Sequence, residues 1–135
     1  MNIQNIITLI FDEKFAEVKE YITANKPNLN IVSEKGNTPL LCAIDTNNTE
    51  IVEFLLRNGA APNFTNRKVN LPLIQAIEIA VETEDYNDNV SEISTDIIQK
   101  LVNYGAKIDL KDKNGDTPYS FAKDLIFGHK NCLKK

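Results

Sequence analysis

The chain repeats itself with a period of 33 residues, and this period constrains its fold more than any other feature. Residues 18–22, Val-Lys-Glu-Tyr-Ile, align with residues 51–55, Ile-Val-Glu-Phe-Leu, at a distance of 33. Gly59 and Gly105 differ by 46, which is one period plus 13 inserted residues. A period of this length is typical of a solenoid, in which each unit packs against its neighbours only.

Each unit carries start and stop signals for a pair of helices. Thr38 and Thr117 precede prolines, so a threonine oxygen caps a helix and a proline fills its first turn, where no N–H donor is needed. Gly59 and Gly105 are placed to end the second helix of a pair in the left-handed conformation. The pattern therefore predicts helix pairs, joined by tight turns such as the one containing Gly36.

The third unit departs from this pattern at its turn. Val69 stands where the second unit has Gly36, and Leu71 stands where it has Thr38. We expect a distorted turn and a weaker helix start there, because losing such a cap costs about 1 kcal/mol.

The combined motifs, Gly36 to Ala43 and Asn58-Gly59-Ala60 above all, resemble the ankyrin repeat, whose period is 33. The resemblance implies an all-α ankyrin-repeat solenoid of about four stacked helix-pair units with short hairpin fingers. It covers the chain as a single domain, 1–135. The units fall at about 1–32, 33–65, 66–111 with an insertion at 82–94, and 112–130.

The first unit is degenerate and is expected to form an N-terminal cap. Its helices are indicated by isoleucines at 3, 6, 7 and 10 and by Phe15, Val18 and Ile22. The N-terminus lacks the pattern of a signal peptide, and no segment is apolar for long enough to span a membrane. Cys42 is expected in the core and Cys132 in a reactive tail, which favours a cytoplasmic protein without disulfides.

The insertion at 82–94 is acidic throughout. Its five carboxylates and no basic residue give it a charge of −5, against −4 for the whole chain. One interpretation is a solvated loop, as acidic polar stretches usually are. The other is a lobe that docks a basic partner through its acidic residues, among them Glu84, Asp85 and Asp88, with Tyr86, Val90 and Ile93 as apolar anchors.

The sequence offers no support for catalysis. His129 is the single histidine and has no partner motif, and no phosphate-binding glycine loop or zinc-ligand spacing occurs. We therefore predict no enzyme activity, no cofactor and no metal. A sequence pI near 5.0 and scattered lysines argue against nucleic-acid binding.

The resemblance implies binding of another protein on a concave surface made by the fingers and the first helices. Tyr119 and Phe121 are candidate anchors, although both could instead close the core. In this numbering the expected contacts on the fingers and first helices are Glu34, Lys35, Asn37, Asp45, Thr46, Arg67, Lys68, Asn70, Glu78, Lys113, Asn114 and Asp116.

We expect such a protein to be a monomer when free, and three functions are compatible with it. The first is a bacterial immunity protein that neutralises a cognate toxin through a basic toxin domain. An asparagine- and lysine-rich composition with two arginines fits an AT-rich bacterial genome. The alternative is an effector or regulatory adaptor that binds a cellular or host protein. An enzyme with chemistry hidden in the insertion has no identifiable nucleophile and base.

Overall fold

The computed structural model describes residues 3–65, 69–82, 95–112 and 114–122, and these residues form helices and turns without a strand. Arg67, Lys68, Glu84, Asp85, Tyr86, Asp88, Val90, Ile93, Lys113, His129 and Cys132 lie outside the described residues. The helices are α1 (Ile3–Phe11), α2 (Phe15–Asn25), α3 (Pro39–Asp45), α4 (Thr49–Arg57), α5 (Pro72–Glu82) and α6 (Asp96–Asn103). A further helix covers 118–122.

The helices stack in two layers, as the repeat predicts. The inner helices α1, α3 and α5 pack in succession, and each also packs against the outer helix that follows it. The outer helices α4 and α6 pack against each other. This arrangement confirms the all-α solenoid with helix-pair units. Glu82, which the sequence assigned to the insertion, is instead the last residue of α5, so the helix extends one residue into the acidic segment.

One apolar core runs through the stack between the two layers. Every outer helix contributes two positions at i, i+4 spacing that are almost fully buried, because they face the inner helices. These pairs are Val18 and Ile22 in α2, Ile51 and Leu55 in α4, and Ile97 and Leu101 in α6. The isoleucines of α1 at positions 6, 7 and 10 close the core at the N-terminal end.

The predicted helix starts are present. The Oγ1 atom of Thr38 accepts a hydrogen bond of 3.2 Å from the backbone N–H of Leu41, and Pro39 occupies the first turn of α3. In the fourth unit the cap is reciprocal, since Ser120 N donates to Thr117 Oγ1 and Thr117 N donates to Ser120 Oγ, both at 3.0 Å. Each cap satisfies donors that have no partner inside the helix.

The outer helices end as predicted at glycine. Gly59 and Gly105 have φ angles of 103° and 102°, a region that side-chain-bearing residues rarely adopt. The backbone N–H groups of Ala60 and Ala106 reach back to the carbonyls of Leu55 and Leu101, at 3.0 and 2.9 Å. These bonds are the Schellman motif, which turns the chain sharply after each outer helix.

The third unit differs from the second just before its first helix. Val69 and Leu71 are buried, at 2% and 1% exposure, where the second unit has a turn glycine and a capping hydroxyl. The side chain of Leu71 has no oxygen with which to cap α5. Thr65 Oγ1 donates to the carbonyl of Val69 at 2.8 Å, a bond that leaves the N–H groups at the start of the helix uncapped by this hydroxyl.

We predict that Leu55→Ala and Leu101→Ala each lower the free energy of unfolding by about 2–5 kcal/mol, because each leaves a cavity at a fully buried position. The control is Thr23→Ala on the exposed side of α2. We expect this substitution to change the free energy of unfolding by less than about 0.5 kcal/mol. Urea titrations followed by circular dichroism measure all three. Parent-like unfolding of both leucine variants would contradict the core described above.

We also predict that Cys42 is inert in the native protein. Its side chain is fully buried, and burial, followed by the charge of Asp45, raises the pKa of the thiol to about 12. Thiolate is the reactive form, so a disulfide reagent should modify Cys42 at neutral pH only after unfolding. Mass spectrometry of the labelled site, with and without denaturant, measures this. Equal labelling in both conditions would place Cys42 at the surface.

Candidate functional site

An open cleft of about 240 Å³ lies between the second and third units. One wall is the turn at 33–37 with helix α3, and the other is residues 69–70 with the start of α5. This is the side of the stack formed by the turns and the inner helices. The cleft is lined by Gly36, Asn37, Leu41, Asp45, Val69, Asn70 and Gln75.

Local structure fixes the first wall of this cleft. In the turn, the backbone N–H of Ser33 donates to the carbonyl of Asn37 at 2.7 Å, and Ser33 Oγ accepts from Asn37 N at 3.1 Å. Gly36 permits the turn with a φ of 82°. Leu41 and Asp45 are four residues apart on α3, so they project from the same face of the helix into the cleft.

The surface of the cleft is mainly polar, and hydrogen-bonding side chains form its rim. Leu41 and Val69 are buried, whereas Asp45 is exposed and Asn37 and Asn70 are half-buried. The amide of Gln75 donates a hydrogen bond to the carboxylate of Asp45, which joins α5 to α3 across the cleft. Convergent hydrogen-bonding groups of this kind can orient a bound group and provide specificity.

Sequence reasoning missed Gln75, although a signal was present. Gln75 lies one period after Cys42, a fully buried thiol in the second unit. A long polar side chain at a position that is apolar in the neighbouring unit indicates a local polar partner. That partner is Asp45, which sequence analysis had selected for another reason.

The structure brings three of the sequence-selected residues into the cleft, namely Asn37, Asp45 and Asn70. Thr46 and Glu78 are half-buried, and the hydroxyl of Thr46 donates to the carbonyl of Ala43 at 2.8 Å. The remaining described members are exposed on the turns of the second and fourth units: Glu34, Lys35, Asn114 and Asp116.

The fourth-unit turn repeats the construction of the second-unit turn. Asp112 N donates to the carbonyl of Asp116 at 2.8 Å, and one carboxylate oxygen of Asp112 accepts from the backbone N–H groups of Asn114 and Asp116. These bonds fix the backbone that carries the exposed side chains of Asn114 and Asp116. Tyr119, a candidate anchor, is 64% exposed and does not close the core, whereas Phe121 is half-buried.

The outer side of the stack carries charges that are paired with one another. Glu53 of α4 contacts Lys100 of α6 at 2.5 Å and Arg57 at 2.8 Å, and Lys19 of α2 pairs with Glu50 of α4. The hydrogen bond from Lys100 is the main cause that lowers the pKa of the Glu53 carboxyl. The Lys19–Glu50 and Lys100–Glu53 pairs link consecutive outer helices, whereas the Arg57–Glu53 pair lies within α4.

The described residues provide little for catalysis. Among them, no group of three or more His, Cys, Asp or Glu residues could hold a metal ion. Among the described residues that line the cleft, Asp45 is the one with an ionisable side chain, and none is Ser, Thr, Cys or Lys. Within the described part of the chain, no helix has the length and apolar character needed to cross a bilayer.

Comparison with known proteins agrees with this architecture. Residues 35–67 match the family model of the ankyrin repeat. Among solved structures, the chain is similar to the ankyrin repeat domain of Bcl-3, a member of the IkappaB protein family, with a TM-score of 0.68 and 22% identity. The alignment covers 87% of this chain but 46% of that domain, so the chain spans about half its length. No curated protein sequence matches the chain.

Ankyrin repeats bind other proteins, and stacked repeats in general offer an extended concave surface for this purpose. The matched segment begins in the turn at 33–37 and includes all of α3 and α4. Residues 35–67 match the ankyrin repeat, and the described chain has the fold of an ankyrin repeat domain.

Proposed function

We propose that this chain is a non-catalytic module that binds a protein partner through the cleft between the second and third units. The observation that carries the proposal is the lining of the cleft, where the polar side chains of Asn37, Asp45, Asn70 and Gln75 converge from the two units. A partner group entering this cleft can form hydrogen bonds with these side chains. A few convergent polar groups fix the orientation of a bound partner and give specificity.

The polar rim also gives the cleft a means of selecting its partner. The Asn37 and Asn70 amides can donate and accept, whereas the Asp45 carboxylate can only accept. A partner that places donors opposite Asp45 leaves no buried group unpaired. A partner that places an acceptor opposite Asp45 brings that acceptor against the desolvated Asp45 carboxylate. The unfavourable contact lowers affinity for this partner and so provides specificity.

As a finer proposal, we infer that the partner is a bacterial toxin with a basic domain and that the chain is its cytoplasmic immunity protein. The supporting observation is the charge of −5 in residues 82–94, which favours association with a basic protein. The alternative is an effector or regulatory adaptor, which uses the same cleft for a cellular or host protein. The test is to express the product of an adjacent toxin gene with and without this chain. Growth that stops without this chain and is restored by co-expression supports the immunity role over the adaptor role.

We predict that Asp45→Lys lowers affinity for that gene product by about tenfold or more, because it reverses the charge on the rim of the cleft. The matched control is Asp96→Lys, an exposed aspartate in the first turn of α6 on the outer layer, expected to stay within about twofold of the parent. Isothermal titration calorimetry measures both, and melting temperatures verify folding.

The acidic insertion is the alternative to the cleft as the partner-binding surface, and the same binding experiment tests it. Amide replacement of Glu84, Asp85 and Asp88 removes charge there without touching the cleft. If this variant loses binding while Asp45→Lys binds like the parent, recognition belongs to the insertion and the cleft proposal is wrong.

A further inference from the structure

Asparagine is followed by glycine twice in the chain, at Asn58-Gly59 and at Asn114-Gly115. In such a pair the backbone nitrogen of the glycine can attack the side-chain amide of the asparagine, because glycine has no side chain to hinder the approach. Both pairs are exposed, and the two glycines have φ angles of 103° and 84°. Exposure and backbone region are therefore alike, and the two pairs differ in how firmly the structure holds them.

The Asn58-Gly59 pair is held by the end of α4 and by the neighbouring unit. The side-chain amide of Asn58 donates to the carbonyl of Phe54 at 2.8 Å, which binds it to the last turn of the helix. The carbonyl of Gly59 accepts from the amide of Asn30 in the first unit at 3.1 Å. Bringing the Asn58 amide onto the Gly59 nitrogen therefore requires the helix end to open and strains the link between two units.

The Asn114-Gly115 pair is held by hydrogen bonds inside the fourth-unit turn. The backbone N–H of Asn114 donates to the carboxylate of Asp112 at 2.8 Å, and that of Gly115 donates to the Asp112 carbonyl at 3.1 Å. These bonds can break while the helix caps and the links between units stay intact, because they are not shared with them. A projecting turn of this kind opens more readily than a helix end packed within a stack.

We propose that Asn114 is a site of spontaneous deamidation in the folded protein, whereas the fold protects Asn58. The Gly115 nitrogen loses its proton and bonds to the Cγ atom of Asn114, and the side-chain nitrogen leaves as ammonia. The cyclic succinimide that results takes up a water molecule. Opening at the side-chain carbonyl gives aspartate, and opening at the backbone carbonyl gives isoaspartate, whose main chain is longer by one carbon.

This reaction changes both the shape and the charge of the fourth-unit turn. One carboxylate oxygen of Asp112 accepts from the backbone N–H groups of Asn114 and Asp116, and the longer main chain of isoaspartate separates these two donors. Either product adds a carboxylate that is ionised at neutral pH, between the two aspartates of the turn. The deamidated turn therefore has a different geometry and one more negative charge.

The modification site is separate from the binding cleft, because neither Asn114 nor Gly115 lines the cleft. The reaction needs water and no partner, so it does not depend on the proposed function. It does alter one of the turns that the ankyrin resemblance assigns to partner contact. Deamidation therefore converts a neutral amide on that turn into an acid while the cleft between the second and third units keeps its lining.

Incubation of the full chain in neutral buffer at physiological temperature, followed by digestion and mass spectrometry of the peptides, tests the proposal. Asn114 should convert to aspartate and isoaspartate at least about tenfold faster than Asn58, because reaction at Asn58 requires a costlier opening. In denaturant the two residues should convert at similar rates, since each is followed by glycine. A sample digested without incubation gives the conversion caused by the digestion itself.

Asn30→Ala is the matched variant, because it removes the donor to the Gly59 carbonyl. It should speed conversion of Asn58 several-fold and leave Asn114 at the parent rate. Equal conversion of Asn58 and Asn114 in the folded parent overturns the proposal, as does an Asn114 that keeps its amide until denaturant is added. A preference for Asn114 that persists undiminished in denaturant assigns the difference to sequence and also overturns it. If Asn30→Ala fails to fold, the comparison within the parent decides.

Discussion

The side-chain amide of Asn30 links the first unit to the second, that of Asn63 links the second unit to the third, and the order of the stack depends on these links. The amide of Asn30 donates to the carbonyl of Gly59 at 3.1 Å and accepts from Ala61 N at 2.8 Å. Asn63 makes the same pair of bonds to Gly105 and Lys107, both at 2.9 Å. A solenoid has no contacts between distant units, so the contacts between neighbours determine whether it forms one body.

These amides act on backbone groups that the helix caps have already positioned. The Schellman turns at Gly59 and Gly105 leave the glycine carbonyl and a following N–H available after each outer helix. Only a side chain with both a donor and an acceptor satisfies the two groups together, which is the chemistry of an asparagine amide. With the second and third units linked in this way, α3 packs beside α5. The cleft, whose rim includes Asn37, Asp45 and Gln75, lies between these two units.

Local features of the fold were predictable from sequence because each depends on a few adjacent residues. Thr38 before Pro39, and Gly59 after an outer helix, specify a helix start and a helix end by backbone chemistry alone. The 33-residue period then places the resulting pairs in order. The choice of Asp45 as a surface residue followed from the same register, since it lies at the exposed end of an inner helix.

Contacts between units could not be predicted from the sequence in the same way. The Asn63 links join residues 42 and 44 positions apart, and the link from Gln75 to Asp45 spans 30. Their geometry depends on how one unit sits on another, which no local motif encodes. Tyr119 shows the same limit: its aromatic ring suggested either an anchor or a core residue, and only the position of its neighbours decides between them.

Hydrogen exchange in Asn63→Ala tests most directly whether the amide links hold the stack together. The account predicts faster exchange at the Lys107 amide and a loss of about 1–3 kcal/mol in the free energy of unfolding, because two backbone groups lose their partners. Asn58→Ala is the control, since the Asn58 amide donates within its own helix to Phe54 at 2.8 Å, and we expect a change below about 0.5 kcal/mol. Parent-like exchange at Lys107, or equal costs for the two variants, would contradict the account.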